Sequence, residues 1–331
     1  MPLKVHFLNV GRGDCTIIEF PSGRVAMVDI DHLSVLDEDT RRELAREHVE
    51  ARGFDTANLS GTSRVLAALE VQTALKHAQE RLTDPLDYFD THIGPTTDIF
   101  RFVATHPDMD HLTGLYRLHY QEPAKEIVNF WHPTYENFNL GGKIDWKDSP
   151  YDERDWETYK ELRDSTDNPK SLKQYQGKTG DYWTEDGVRI WAPTPELERI
   201  AVEQDAPNIV SLILKISYQG RSIVLGGDAT GDETWEKIWP HIDMREIDVL
   251  KALHHGRKSG YHQRSVKEMS PWLTITSVAN DSKHDATQNY RRYSEHTVSL
   301  RKSGDIQITI EDSGRLVYSS NIAAPWNSQI T

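Results

Sequence analysis

Four of the six residues from His106 to His111 carry side chains that can bind a metal ion: His106, Asp108, Asp110 and His111. The segment follows the apolar run 99–104, which is typical of a buried strand. Histidine supplies nitrogen and aspartate supplies oxygen, the ligand types of divalent-metal sites. Because the spacing is short, one loop can direct several of these side chains at a single point. The sequence therefore predicts a metal centre at the end of a strand.

Two later strands are predicted to end in residues of the same kind. The apolar stretch 222–225 runs into Gly226-Gly227-Asp228, and the stretch 248–253 runs into His254-His255. The two glycines would let the backbone come close to another group. An aspartate in a turn or a pair of histidines means little alone. At the ends of successive strands, these residues predict that several loops meet at one site.

The segment 106–111 resembles the signature loop of the metallo-β-lactamase superfamily, whose usual form is HxHxDH. Asp108 stands in place of the middle histidine, and the resulting HxDxDH resembles the branch that includes the hydrolase domain of competence-type DNA-uptake channels (ComEC-like). The opening segment VHFLNVGRGDCTIIEFPSGRVAMVDI and the His-His-Gly element at 254–256 also resemble that branch. A carboxylate in place of an imidazole makes the site harder, so Mn²⁺ or Mg²⁺ would compete better with Zn²⁺.

The resemblance implies two divalent metal ions, Zn²⁺ or Mn²⁺, with Mg²⁺ as a further candidate. One ion would be bound by His106, Asp108 and His132, the other by Asp110, His111 and His255, and Asp228 would bridge them. His132 could instead be an ordinary loop histidine. His255 is the best match for the last histidine ligand, with His254 as the second choice.

The resemblance also implies residues that act beside the metals. Asp110 would orient the nucleophile, and His284 or His254 would give a proton to the leaving group. By the resemblance, Asp14, Asp29, Asn208 and Ser211 would hold the ligands or face the substrate. Arg257 and Lys258 form a local basic patch beside the His-His-Gly element that could also face the substrate. The alternatives are a turn for Asp14, a strand-start cap for Asn208 and Ser211, and solvated surface charge for Arg257 and Lys258.

Alternating strands and helices predict an α/β protein, and the resemblance implies a four-layer αββα sandwich. We expect one domain over 1–331, with insertions at about 32–97 and 134–180. The predicted strands are 3–10, 15–20, 24–30, 99–104, 126–131, 212–218, 222–225, 248–253 and 272–278. The stretch from 180 to 193 has strand character, the segments 41–51, 64–82, 112–120 and 290–301 are predicted helices, and 305–310 with 314–318 is a predicted hairpin.

The composition limits the location and the partners. No apolar run of the 331 residues reaches the length of a membrane span, no signal segment precedes the first strand, and the single cysteine suits a reducing compartment, so we expect a cytoplasmic protein that does not contact a membrane. A net charge of −14 argues against broad, non-specific affinity for nucleic acid but leaves room for a local basic patch.

Three functions remain open on the sequence. The first is a metal-dependent phosphodiesterase or nuclease, with a phosphodiester substrate and DNA as one candidate. The second is a zinc-dependent hydrolase of a lactone, a thioester or another small ester or amide. The third is a non-enzymatic module of a defence or toxin system that binds a protein partner through the two insertions.

Overall fold

Fifteen strands can be followed in the computed structural model, which describes residues 1–32, 41–42, 45–46, 48–49, 61–121, 124–133, 143–277, 284–322 and 329–330. The strands are Leu3–Phe7 (β1), Thr16–Glu19 (β2), Val25–Val28 (β3), Ile99–Val103 (β4), Ile127–Pro133 (β5), Lys170–Gln174 (β6), Val188–Ala192 (β7), Ile213–Tyr218 (β8), Arg221–Leu225 (β9), Val249–Lys251 (β10), Leu273–Thr276 (β11), His296–Ser299 (β12), Ile306–Ile310 (β13), Leu316–Ser320 (β14) and Gln329–Ile330 (β15).

The described strands form two sheets. The first has the order β15-β14-β13-β1-β2-β3-β4-β5-β6, and the second has the order β12-β11-β10-β9-β8-β7. The strands β3 to β6 run parallel to one another, as do β9 to β12, and the remaining pairs are antiparallel. Because neighbouring parallel strands end at the same edge, the loops after β3, β4, β9, β10 and β11 are brought to the edges where chemistry can be assembled.

The two sheets pack face to face, with helices on both outer faces. Phe7 and Val103 of the first sheet and Leu225 and Ile275 of the second lie in the shared central core. A second core lies between the outer face of the second sheet and its helices, and a third lies between the outer face of the first sheet and its helices. This is the predicted four-layer αββα arrangement, and that prediction is confirmed.

The α-helices in the described residues lie between the strands. They are Gly61–Glu80, Pro85–His92, Leu115–Tyr120, Glu153–Asp164, Asp181–Glu185, Pro195–Gln204, Gly231–Ile238, Gln263–Met269, Thr287–Tyr290 and Leu300–Ser303. Short 3₁₀ turns span Met109–His111, Pro207–Val210, Trp239–His241 and His254–Gly256. Among the helices that the structure describes, none is long and apolar enough to cross a membrane.

The structure differs from the predicted elements in three places. The helix predicted over 290–301 is wrong, because residues 296–299 form β12 and pair in parallel with β11. The strand character predicted from 180 begins later, since Asp181–Glu185 is helical and β7 begins at Val188. The segment 134–180, predicted as an insertion, contributes β6, which is an edge strand in the described part of the first sheet. Part of the helix predicted at 41–51 lies outside the described residues.

Candidate metal centre

Four side chains from three different loops meet at one edge of the two sheets. Asp110 and His111 follow β4, Asp228 follows β9, and His255 follows β10. One ligand atom from each lies within 4.8 Å of all the others. Nε2 of His111 is 3.2 Å from Oδ1 of Asp228, and Nε2 of His255 is 3.2 Å from Oδ2 of the same carboxylate. The structure therefore brings together four of the predicted ligands.

The donor atoms of this group fit a metal ion. Within the described residues, no hydrogen bond satisfies Nε2 of His106, His111 or His255, or Oδ1 of Asp228, although all these atoms are buried. A buried polar atom without a partner costs free energy, so its presence in a folded core calls for an explanation. Two imidazole nitrogens and two carboxylates are the ligand types that divalent metals accept.

His111 is held from behind by Asp29, the residue after β3. Nδ1 of His111 lies 2.8 Å from Oδ2 of Asp29, and the same carboxylate accepts hydrogen bonds from the backbone N–H and the hydroxyl of Thr105, both at 2.7 Å. A carboxylate on one ring nitrogen fixes the tautomer and directs the other nitrogen toward the metal position.

His255 is held by a second buried network. Its Nδ1 lies 3.4 Å from Oδ1 of Asp14, and Nζ of Lys251 donates to both oxygens of Asp14 at 2.7 Å. The hydroxyl of Ser277 donates to Asp14 at 2.8 Å and accepts from Lys251 at 3.1 Å. The group therefore joins the turn after β1 to the ends of β10 and β11.

His106, Asp108 and His254 lie beside the four-residue group. The ring centroids of His106 and His111 are 4.3 Å apart, and Nε2 of His106 is 3.5 Å from Oδ2 of Asp108. Nε2 of His254 is 3.5 Å from Oδ2 of Asp228. Asp228 thus belongs to the four-residue group and also contacts His254 outside it.

The backbone around the site is unusually constrained. A Cβ on Gly13 would lie 2.0 Å from the carbonyl oxygen of Asp110, so only glycine fits this contact. Three other site residues, Asp29, His254 and His255, have positive φ angles of 56°, 48° and 60°. Such conformations cost free energy in residues with a Cβ and concentrate at functional sites.

Charge coupling is strong because the group is buried. Burial lowers the pKa of His255, but Asp228 and Asp14 outweigh burial and raise that pKa to about 10. Burial also lowers the pKa of His111, but the charges of Asp228 and Asp29 outweigh burial and raise that pKa well above its usual value. In the metal-free protein the imidazoles would therefore carry the positive charge that the carboxylates require. A bound cation would replace those protons.

The predicted ligand His132 does not join the four-residue group. The ring nitrogens of His132 are 2.9 Å from the Pro133 carbonyl oxygen and 3.0 Å from the Ser171 hydroxyl. The assignment of His132 as a ligand is therefore corrected: β5 continues through Pro133, and His132 is paired with Lys173 of β6. Burial lowers the pKa of His132 to about 4.

The remaining candidates surround the site unequally. Ser211 is fully buried, and a Cβ added at Gly227 would lie 3.3 Å from the Cβ of Ser211. Asn208 lies in the 3₁₀ turn before Ser211 and is partly exposed. Arg257 follows the His254–Gly256 turn and is partly exposed, and Lys258 is exposed. His284 is also exposed, and its backbone carbonyl accepts from the Lys258 N–H at 2.7 Å.

Several residues at the site were not found by sequence reasoning. Thr105, Lys251 and Ser277 hold the ligands, and Asp31 accepts from the Gly13 N–H at 2.9 Å. Burial first, and Asp110 second, raise the pKa of Asp31. Of these residues, only Lys251 could have been recognised in the sequence. It is a lone lysine in the apolar strand 248–253, and a buried lysine requires a partner.

Comparison with known proteins identifies similar structures but no sequence family. No family model matches the chain, and no curated protein matches its sequence. The metallo-beta-lactamase fold protein YhfI from Bacillus subtilis is similar over 89% of this chain and 95% of its own, with a TM-score of 0.44 and 9% identity. Igni18, a novel metallo hydrolase from the hyperthermophilic archaeon Ignicoccus hospitalis, is similar over 96% and 99%, with a TM-score of 0.44 and 12% identity.

Proposed function

We propose that this protein is a metal-dependent hydrolase and that its substrate is a phosphodiester. The observation that carries the proposal is the meeting of Asp110, His111, Asp228 and His255, whose ligand atoms lie within 4.8 Å of one another. At this one place, buried imidazole nitrogens and a carboxylate oxygen without hydrogen bonds lie together. A shared metal ion would give all of them a partner.

A second metal position is part of the proposal. His106, Asp108 and His254 would bind there, with Asp228 shared between the two positions. We propose His254 here in place of His132, because Nε2 of His254 faces Asp228 while both ring nitrogens of His132 contact other groups. Burial lowers the pKa of His254 to about 4, so this ring is neutral at pH 7 and offers a lone pair rather than a proton.

When bound, divalent cations in such a site lower the pKa of a water and stabilise the charge that develops on a displaced oxyanion. The chain's own residues provide the rest. The Asp110 side chain is 15% exposed, so it would be able to contact an attacking water and orient it. Asp29 and Asp14 keep the two ligand imidazoles oriented.

Two features support a phosphodiester rather than a neutral ester. The site is rich in carboxylates, which suits the hard cations common in phosphoryl chemistry. Nε of Arg12, on the turn that contains Gly13, is 3.9 Å from Oδ2 of Asp110, and its side chain is 35% exposed. A guanidinium placed there can bind phosphate oxygens with two parallel hydrogen bonds. The resemblance to the ComEC-like branch supports the same choice, with DNA as the first substrate to test.

The test is cleavage of labelled single- and double-stranded DNA with Mn²⁺, Mg²⁺, Zn²⁺ or chelator, alongside direct measurement of bound metal. We expect metal-dependent cleavage by the wild type and a loss of about 100-fold or more in Asp228→Asn, since a bridging ligand is removed. Asp312→Asn, at an exposed carboxylate, is the matched control and should cleave normally.

The outcomes of this experiment test the metal-dependent hydrolase and the phosphodiester substrate separately. Bound metal with no cleavage of DNA or small phosphodiesters, but with cleavage of lactones or thioesters, would keep the hydrolase and reject the phosphodiester. Failure of the wild type to bind any of the three metals would reject both.

A further inference from the structure

A cavity of about 630 Å³ lies on the outer face of the second sheet, beside its edge strand β7. Its lining includes Lys178, Arg189, Lys215, His241, Ile242 and Asp243. None of these residues belongs to the metal centre. The volume falls within the usual range of sites for small organic ligands, about 300 to 1,000 Å³.

The position of the two central cations follows from the strand pattern. Val188 and Ile190 of β7 point into the core between the sheets, as do Leu214 and Ile216 of β8. Since side chains alternate along a strand, Arg189 and Lys215 must point to the opposite, outer face. Trp191, next on that face, is covered by the helices, whereas Arg189 remains exposed.

Arg189 and Lys215 are direct cross-strand partners in the antiparallel β7–β8 pair. Like charges directly opposite each other on one face destabilise a sheet. Within the part of the chain that the structure describes, neither side chain forms an ion pair with a carboxylate. Burial lowers the pKa of Lys215, the charge of Asp243 opposes that shift, and the charge of Arg189 adds to it. An anion between Arg189 and Lys215 would remove the repulsion between them.

The carboxylate of Asp243, which lines the cavity, attracts Lys215 and offsets part of the repulsion, but its hydrogen bonds go to a different cation. Asp243 binds Arg245 through both oxygens, at 2.9 Å to Nε and 3.0 Å to the terminal nitrogen. Lys178 adds a third cation to the lining, and the chain as a whole has a net charge of −14. A local concentration of positive charge in an acidic protein indicates an anionic ligand, which it would attract by focusing the field in a cleft.

We propose that this cavity binds a small phosphorylated metabolite, with the phosphate held between Arg189 and Lys215. A phosphate dianion matches the two opposed charges, and the guanidinium can bind it through two hydrogen bonds. Lys215 is held in place by its position over the ring of Trp191, 5.6 Å from the ring centroid. The half-buried Ile242 offers an apolar surface for the organic part of the ligand. The proposal is independent of the proposed hydrolase activity.

The experiment is calorimetric titration of the full chain with inorganic phosphate, adenosine monophosphate and adenosine. The variants are Lys215→Met and Arg189→Met, which remove one charge each and keep an aliphatic side chain. Lys237→Met, at an exposed lysine paired with Glu196, is the matched control. Asp228→Asn separates this cavity from the metal centre, which could also bind phosphate.

We expect the wild type, Lys237→Met and Asp228→Asn to bind adenosine monophosphate, and each cavity variant to bind about tenfold more weakly or worse, because a charge-assisted hydrogen bond is lost. Adenosine should not bind. The proposal would be overturned if both cavity variants kept the wild-type affinity or if only Asp228→Asn lost binding. It would also be overturned if adenosine bound as well as adenosine monophosphate, or if the wild type bound neither phosphate probe.

A second measurement uses the ligand-free protein and does not depend on the choice of probe. Because Arg189→Met removes one of two repelling charges, its melting temperature should equal or exceed that of the wild type. Lys215→Met is left out of this comparison, since Lys215 is also attracted by Asp243. A drop of several degrees in Arg189→Met would show that Arg189 supports the fold, and the argument from repulsion would fail.

Discussion

Asp29 accepts a hydrogen bond from Nδ1 of His111 at 2.8 Å, and this contact decides which nitrogen of the ring faces the other ligands. Asp29 can reach His111 because β3 and β4 are parallel neighbours, so the residues after them leave the sheet side by side. Thr105 completes the arrangement with two hydrogen bonds to the same carboxylate.

The first prediction concerns this contact. Asp29→Asn should weaken metal binding about 10- to 100-fold, because groups that orient a ligand contribute on that scale. Competition with a chromogenic chelator measures the affinity directly. Asp312→Asn, which changes an exposed carboxylate, should bind metal like the wild type. Equal affinity in Asp29→Asn and the wild type would mean that His111 is not a ligand held by Asp29.

Much of the candidate metal centre could be predicted from the sequence because the residues that meet there have two local signatures. His111, Asp228 and His255 are residues of ligand type, and each lies three to eight positions after an apolar strand. Both signatures can be recognised in a short stretch of sequence. The αββα arrangement follows from the same strand and helix pattern together with the resemblance of its motifs.

The rest depends on contacts between distant parts of the chain. Lys251 contacts Asp14 across 237 positions, and no local pattern records that pairing. The sequence predicts a strand that ends at 131 and places His132 in the loop after it, but β5 extends to Pro133 because β6 pairs with it up to that residue. The segment 296–299 was predicted as helix, yet it pairs with β11, where the β-branched Thr297 and Val298 suit a strand.

The second prediction concerns the close approach at Gly13. In Gly13→Ala the new Cβ would lie 2.0 Å from the Asp110 carbonyl oxygen and 2.4 Å from Cβ of Asp31. One of the two loops must move, so we expect a loss of about 1–3 kcal/mol in the free energy of unfolding, as for other overpacked sites. Metal affinity should fall as well, because Asp110 is displaced.

Gly220→Ala is the control for the loss of a glycine. Its added Cβ would meet nothing within 4 Å, although its φ of +75° is strained for alanine. It should lower stability modestly and leave metal affinity unchanged. If Gly13→Ala and Gly220→Ala behaved alike in both urea unfolding and chelator competition, the contact between Gly13 and Asp110 would have no special role.

The third prediction is a pH dependence that arises away from the metal centre. Asp155 is buried in the first turn of the helix Glu153–Asp164 and accepts the Tyr116 N–H at 2.8 Å. Burial raises the pKa of Asp155 from 3.8 to about 6. Between these values the folded state binds more protons than the unfolded chain, so this group's contribution to the free energy of unfolding falls as pH rises.

Asp155→Asn removes that titration and keeps an oxygen that can accept the Tyr116 N–H. Relative to the wild type, the variant should gain stability as pH rises from about 4 to about 6 and keep the gain above it, on the order of 2–3 kcal/mol for a shift of this size. Urea unfolding at pH 4.5 and pH 7.5 measures the difference. The exposed Glu157→Gln on the same helix should show no comparable change, and a pH-independent difference for Asp155→Asn would contradict the prediction.

The last prediction concerns the buried pair of Lys251 and Asp14, which links β10 to the turn after β1. Lys251→Met leaves the Asp14 carboxylate buried without its cation, and breaking such a pair costs about 3–5 kcal/mol. The double variant Asp14→Asn, Lys251→Met removes both charges and should recover much of that loss. Lys237→Met breaks an exposed pair with Glu196 and should cost less than about 1 kcal/mol. Urea unfolding in chelator at pH 7 compares the four proteins without a contribution from metal. Because Asp14 also contacts Nδ1 of His255, the double variant should regain stability but not metal affinity, and recovery of both would show that Asp14 does not orient that ligand.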